Sequence, residues 1–193
     1  VDGLREAGIE PMSVNSHAAL IGTSDAIAPH RSLTELVESF DIGKLSRTPS
    51  RFDLDELSSL NAKLLHATPY ADVAERLSAL GVANAGALWN AVHGNIPHVA
   101  DIQEWNEVVR GPIAPRIEDA DFLAKAAALL PSEPWTSETW GAWTNAVKTA
   151  TGAKGKSLFH PLRLALTGRD TGPEMKHLLP LIGHARAERR LQG

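Results

Sequence analysis

The 193-residue chain contains no cysteine. That excludes disulfide staples, thiolate-ligated zinc and thiol nucleophiles, and it fits a reducing, cytoplasmic setting. No uninterrupted apolar stretch approaches the roughly 18 residues of a membrane-spanning helix, and no secretory leader opens the chain. A membrane partner is therefore not expected. Aromatic residues make up only 5 %. Alternating Val/Ile/Thr/aromatic runs bounded by turn residues are missing, so strands are not expected. What is present in quantity is apolar: 43 % hydrophobic residues suffice for a real core and argue against global disorder. The first residue is Val rather than Met, which reads as a segment of something longer.

The overall charge of −4 hides a polarity. Residues 1–147 carry 10 basic against 20 acidic side chains, whereas residues 148–193 carry 9 basic against 3 acidic. A basic end on an acidic chain suits a polyanion partner. A basic last helix, with cations placed favourably near helix C-termini, explains the same numbers.

Helical signals run throughout. Ser32 with Glu35 and Asp53 with Glu56 form capping boxes ahead of leucines at helical spacing. Thr68-Pro69 reads as an N-cap and first-turn proline of a helix that Gly81 ends. The Ala/Leu-rich stretch 120–130 stops at Pro131, Thr136 caps a helix running to Gly152, and Pro161 opens another that Gly168 closes. A last helix runs through Gly183 to Leu191. The fold class expected is all-α, a bundle or cage of roughly nine or ten short helices. A seam is expected near 66–69, giving regions 1–67 and 68–193, with a weaker break at 111–116. A Pro turn is expected at Thr48-Pro49.

Motifs for chemistry are thin. The His93/His98 and His177/His184 pairs lack metalloprotease spacing and read as helix-end or surface histidines. There is no GxSxG elbow. Gly152-Ala153-Lys154-Gly155-Lys156-Ser157 superficially resembles a phosphate loop, but its glycines are too close together to wrap a nucleotide. It remains a flexible, doubly cationic turn before a helix, suited to a backbone phosphate. Trp140 and Trp143 lie three apart on one helix face and read as core, as do Trp89 and Trp105, with base stacking the lesser alternative. Glu118, Asp119 and Asp121 read as helix-start carboxylates rather than an acid/base pair. No catalytic residue and no metal ligand emerges.

Two segments carry more. One comprises Leu4 to Pro11, Asn15 to Asp25 and Leu45-Ser46-Arg47-Thr48-Pro49-Ser50-Arg51-Phe52-Asp53; the other is Gly155-Lys156-Ser157-Leu158-Phe159-His160-Pro161-Leu162-Arg163-Leu164-Ala165-Leu166-Thr167-Gly168, followed by Gly172-Pro173-Glu174 and Leu178 to Arg186. Together they resemble the C-terminal part of bacterial glutamyl-tRNA synthetases, with 70–150 matching more loosely. The resemblance implies a helical stem-contact region (1–67) followed by an all-helical anticodon-binding domain (68–193). The family's HIGH-like and KMSKS-like motifs and nucleotide-binding fold are not in this stretch. ATP and Mg2+ would therefore serve the parent enzyme, and the chain alone would not activate glutamate.

The implied partner is tRNA-Glu, with tRNA-Gln as the alternative, bound by a cytoplasmic monomer. Arg163 matches an arginine that in the family reaches an anticodon base, consistent with the planar donor fork of a guanidinium. Gly172 falls where some relatives place a hydrogen-bonding Thr, leaving Thr171 or the backbone to make that contact. A second base-reading arginine would fall in the middle stretch, with Arg110 and Arg116 as candidates. Lys154, Lys156, Arg169 and the Arg186/Arg189/Arg190 group would hold phosphates, and Arg47 and Arg51 would lean on the tRNA body. The competing reading is a helical protein-interaction module that binds no RNA.

Overall fold

The computed structural model describes residues 2–47 and 49–193. Thr48, assigned above to a Pro turn, lies outside the described residues. Twelve α-helices are present among them: α1 (Asp2–Glu6), α2 (Pro11–Leu20), α3 (Leu33–Ser39), α4 (Leu54–His66), α5 (Tyr70–Ala79), α6 (Gly86–Val92), α7 (Ile102–Arg110), α8 (Ala120–Ala128), α9 (Thr139–Thr151), α10 (Lys156–Thr167), α11 (Met175–Ile182) and α12 (His184–Gln192). Short 3-10 turns occupy Ile42–Lys44, His93–Asn95 and Val99–Asp101. The only extended pairing among the described residues is an isolated antiparallel bridge between Thr23 and Leu45. The all-α expectation holds, with more helices than anticipated.

One extra helix and several shifted boundaries have local causes. Gly183, at φ 76°, breaks what reads as one terminal helix into α11 and α12. Pro161 does not start α10 but sits inside it. It forfeits one backbone bond, yet the helix continues because Leu158, Leu162, Leu164 and Leu166 are buried around it. Burying each of these side chains stabilises by about 1.5–3 kcal/mol. Pro69, not Thr68, occupies the N-cap position of α5, and the Thr68 hydroxyl donates to the Leu64 carbonyl at the end of α4. The Thr136 cap is displaced too, since α9 begins only at Thr139. Ser32 and Asp53 cap α3 and α4 as their spacing predicts.

The chain divides into two compact units, 1–102 and 103–193. The expected seam at 67/68 falls inside the first unit. There α2 packs on α4, and Asn61 ties the layer together: its Oδ1 accepts from the Glu10 amide (2.8 Å) and the Ser13 hydroxyl (2.9 Å), and its Nδ2 donates to the Pro97 carbonyl (2.8 Å). Trp89 is fully buried and donates to the Thr68 carbonyl. In the second unit, α8 and α10 pack on α12 while α9 packs on α8, α10 and α11.

Candidate nucleic-acid interface

On α10, side chains seven apart return to one face. Lys156, Phe159, His160 and Arg163 share that face, opposite the buried leucines. Phe159 is 46 % exposed, an aromatic ring left in solvent beside a cation. Trp140, from α9, lies with its ring 6.2 Å from that of Phe159 and tilted by 36°. Together with Glu174, Met175 and Lys176 these residues line a cleft of about 310 Å³ around Arg163.

The Arg163 guanidinium is half-buried. Its Nη2 donates to the Pro173 carbonyl at 2.8 Å, whereas Nη1 is buried without a hydrogen-bond partner among the described residues. Burial lowers its pKa from the ordinary arginine value, but a guanidinium stays charged in proteins. An uncommitted, desolvated donor costs stability until an acceptor reaches it. At the rim, Lys176 hydrogen-bonds Glu174 at 2.6 Å and holds that carboxyl below its usual range. A flat group fits this site chemically: an exposed aromatic face for its plane, with one guanidinium donor, Nη1, uncommitted beside it.

The other candidates divide into three kinds. Lys154, on the turn between α9 and α10, and Lys156, the first residue of α10, are exposed, and Gly152 (φ 74°) and Gly155 (φ 57°) shape that turn with positive φ. Neither makes an ion pair among the described residues.

Arg169, Arg116, Arg110 and Arg190 are engaged internally. Arg169 pairs with Glu104 and lies over the Trp105 ring, 5.1 Å from its centroid. Arg116 pairs with Asp170 at 2.9 Å, and His160 bridges Asp170 and Glu118. The hydrogen bonds from Arg116 and His160 keep the Asp170 carboxyl low in pKa. Arg110 donates to the Asn106 side chain at 3.0 Å. Arg190, grouped above with the phosphate-holding cations, is 6 % exposed and bonds two backbone carbonyls, so its place is structural.

Thr171 is exposed. Gly172 is a glycine for a steric reason: its φ is +141°, and a Cβ there would lie 2.3 Å from Cη2 of Trp105. Arg47 and Arg51 are exposed and belong to the first unit.

The sequence missed the cleft's aromatic wall. Trp143 is core as expected, 1 % exposed, but Trp140 is only partly buried. The signal was Phe159, four residues before Arg163 on the same helix face, a spacing at which side chains meet. Asp119 caps α8 through the Phe122 amide, in line with the capping role assigned to that carboxylate cluster.

A family model described as "Anticodon binding domain" matches residues 115–193. The chain is similar to glutamate–tRNA ligase 2 of Methylorubrum populi, at 53 % identity over 98 % of the chain and 43 % of that relative. It is also similar to glutamate–tRNA ligase 1 of Parvibaculum lavamentivorans, at 53 % identity over 98 % of the chain and 42 % of the relative. The chain thus spans about two fifths of the length of the curated relatives it matches. A crystal structure of glutamate–tRNA synthetase from Elizabethkingia anophelis superposes with a TM-score of 0.76 over 97 % of the chain and 41 % of that structure, at 20 % identity, which establishes the shared fold.

Proposed function

We infer that the second unit grips an unstacked tRNA loop and reads a base in the Arg163 cleft, a reading supported by the match of residues 115–193 to the anticodon-binding family model and by the similarity of the chain to part of glutamate–tRNA ligases. The observation that carries this reading is the half-buried guanidinium with Nη1 uncommitted, beside the Trp140 and Phe159 rings. Single-stranded bases are read by stacking on aromatic faces and by hydrogen bonds to their edges. Lys154 and Lys156 supply backbone charge, which fixes register without reading sequence. Arg110, Arg116 and Arg169 have internal partners within the same unit, and Thr171 with the Gly172–Pro173 backbone offers polar groups next to the carbonyl that accepts from Arg163.

In this proposal region 1–67 contacts the tRNA body through Arg47 and Arg51, and region 68–193 contains the anticodon reader. The tRNA is tRNA-Glu, with tRNA-Gln as the alternative, and the ligase acts as a cytoplasmic monomer. No helix among the described residues is long and apolar enough to cross a membrane. Adenylate chemistry with ATP and Mg2+ is assigned to other parts of the ligase. The residues here do not fit those groups: among the described residues no three His, Asp or Glu side chains are grouped for a metal ion, and the Gly152–Ser157 turn is too short for a nucleotide.

Arg163→Ala is expected to weaken tRNA binding by about 1–3 kcal/mol and to relax base preference at one anticodon position. Filter binding with anticodon variants checks this, and identical affinity and preference for both proteins would refute the assignment. Lys156→Ala is expected to weaken all tRNAs alike and to reduce the slope of log K against log salt by about 0.7–0.9.

A second reading, in which the first unit docks a protein partner, is favoured by Leu33, Val37, Ile42 and Leu54, each more than half exposed. It predicts association insensitive to salt.

A further inference from the structure

The second unit holds another concavity, of about 490 Å³, that shares no residue with the Arg163 cleft. It lies where the segment after α7 meets α12, and Arg110, Pro112, Ile113, Arg186 and Arg189 line it together with Arg190. Arg190 is anchored: Nη1 donates to the Leu166 carbonyl at 2.7 Å and Nη2 to the Gly111 carbonyl at 2.9 Å. Its pKa is pulled down to about 10 by burial first and then by the charges of Arg186 and Arg189. Arg186 is steadied by a bond from Nη1 to the Ile182 carbonyl at 3.0 Å.

Neither Arg186 nor Arg189 makes an ion pair among the described residues. Glu188 on α12 does not line the concavity, and the Glu107 carboxylate on α7 lies against Gly111, a residue of its wall. The Arg186, Arg189 and Arg190 guanidinium groups around this hollow repel one another, and an anion relieves that repulsion. Guanidinium forks match phosphate oxygens two at a time. The Pro112 and Ile113 surface is apolar and suits a sugar or a base face.

We propose that this concavity is a phosphate site for single-stranded RNA, with backbone phosphates in the forks of Arg186 and Arg189 and a nucleoside against Pro112 and Ile113. It rests on the reading of the second unit as an RNA binder and adds a contact separate from the Arg163 cleft.

The test titrates the chain with tRNA between about 50 and 200 mM salt. Arg186→Ala/Arg189→Ala is expected to reduce the log K against log salt slope by about 1.4, from roughly 0.7 per single-strand phosphate, with preference among anticodon variants unchanged. Arg186→Lys/Arg189→Lys is expected to keep the slope and still bind more weakly, because an ammonium retains charge but loses the fork. If the double alanine variant loses its helical circular dichroism, Arg189→Ala alone carries the measurement.

An unchanged slope overturns the proposal. So does saturable binding of inorganic pyrophosphate that the double variant abolishes while its tRNA slope stays at the wild-type value, a result that assigns the hollow to a free anion. An unchanged slope alongside a loss of affinity in Arg163→Ala sinks this proposal alone. Absence of any tRNA binding by the wild type sinks it together with the reading it rests on.

Discussion

Trp143→Ala is expected to destabilise the second unit by about 3–5 kcal/mol, the scale for truncating a fully buried aromatic residue. Trp143 is 1 % exposed, and its indole Nε1–H donates to the Ala126 carbonyl at 2.9 Å. That carbonyl lies in the last turn of α8, where it also accepts from the Leu129 amide at 3.2 Å. The variant therefore opens a cavity and removes the cross-link between α8 and α9 at once. Against a typical total of about 5–15 kcal/mol, such a loss leaves the unit marginal. Trp143 also packs edge-on against Trp140, ring centroids 5.6 Å apart, so the wall of the Arg163 cleft goes with it. Urea denaturation should show a lower midpoint at unchanged slope, and tRNA affinity should fall in parallel. Trp143→Phe keeps most of the ring and should retain much of both. A midpoint for Trp143→Ala equal to wild type would contradict this account of the packing.

Gly172→Thr is expected to cost roughly 2–5 kcal/mol, combining left-handed backbone strain with overpacking. The residue sits at φ +141°, and an added Cβ would meet Trp105 at 2.3 Å from Cη2 and 2.9 Å from Cζ2. Trp105 is 6 % exposed and carries Arg169 on its face, so it has little room to retreat. The neighbouring Pro173 carbonyl is the acceptor for Arg163. Displacing this turn should therefore weaken tRNA binding beyond the loss in stability. Combining Gly172→Thr with Trp105→Leu should recover part of the steric cost and none of the backbone cost, and a double-mutant cycle separates the two. Thermal melting within about 0.5 kcal/mol of wild type, the range of neutral surface changes, would show that the ring yields.

Much of this architecture was legible because it is written locally. Ser32, Asp53 and Asp119 cap the helices their spacing announces, and Gly81, Gly152 and Gly168 stop helices with positive φ. What escaped is set by distant contacts. Pro161 reads as a helix start, yet packing on both sides of it carries α10 straight through. Gly172 reads as the loss of a side-chain contact, and only Trp105, 67 positions earlier, explains it. Arg190 reads like its neighbours Arg186 and Arg189, because nothing in a run of basic residues says which one turns inward. Arg163 stood out through its motif, whereas the aromatic wall beside it depends on how α9 crosses α10.

The bond from Arg190 to the Gly111 carbonyl joins residues 79 positions apart and has a temporal consequence. On a translating ribosome the first unit has all its residues once Ile102 has emerged. The second cannot close in the same way, because α8 and α10 both rest on α12, the last helix of the unit to be synthesised. Its nascent helices therefore keep their apolar faces uncovered until residues 184–192 arrive, which lengthens the time that this half of the chain is exposed to misassociation during synthesis.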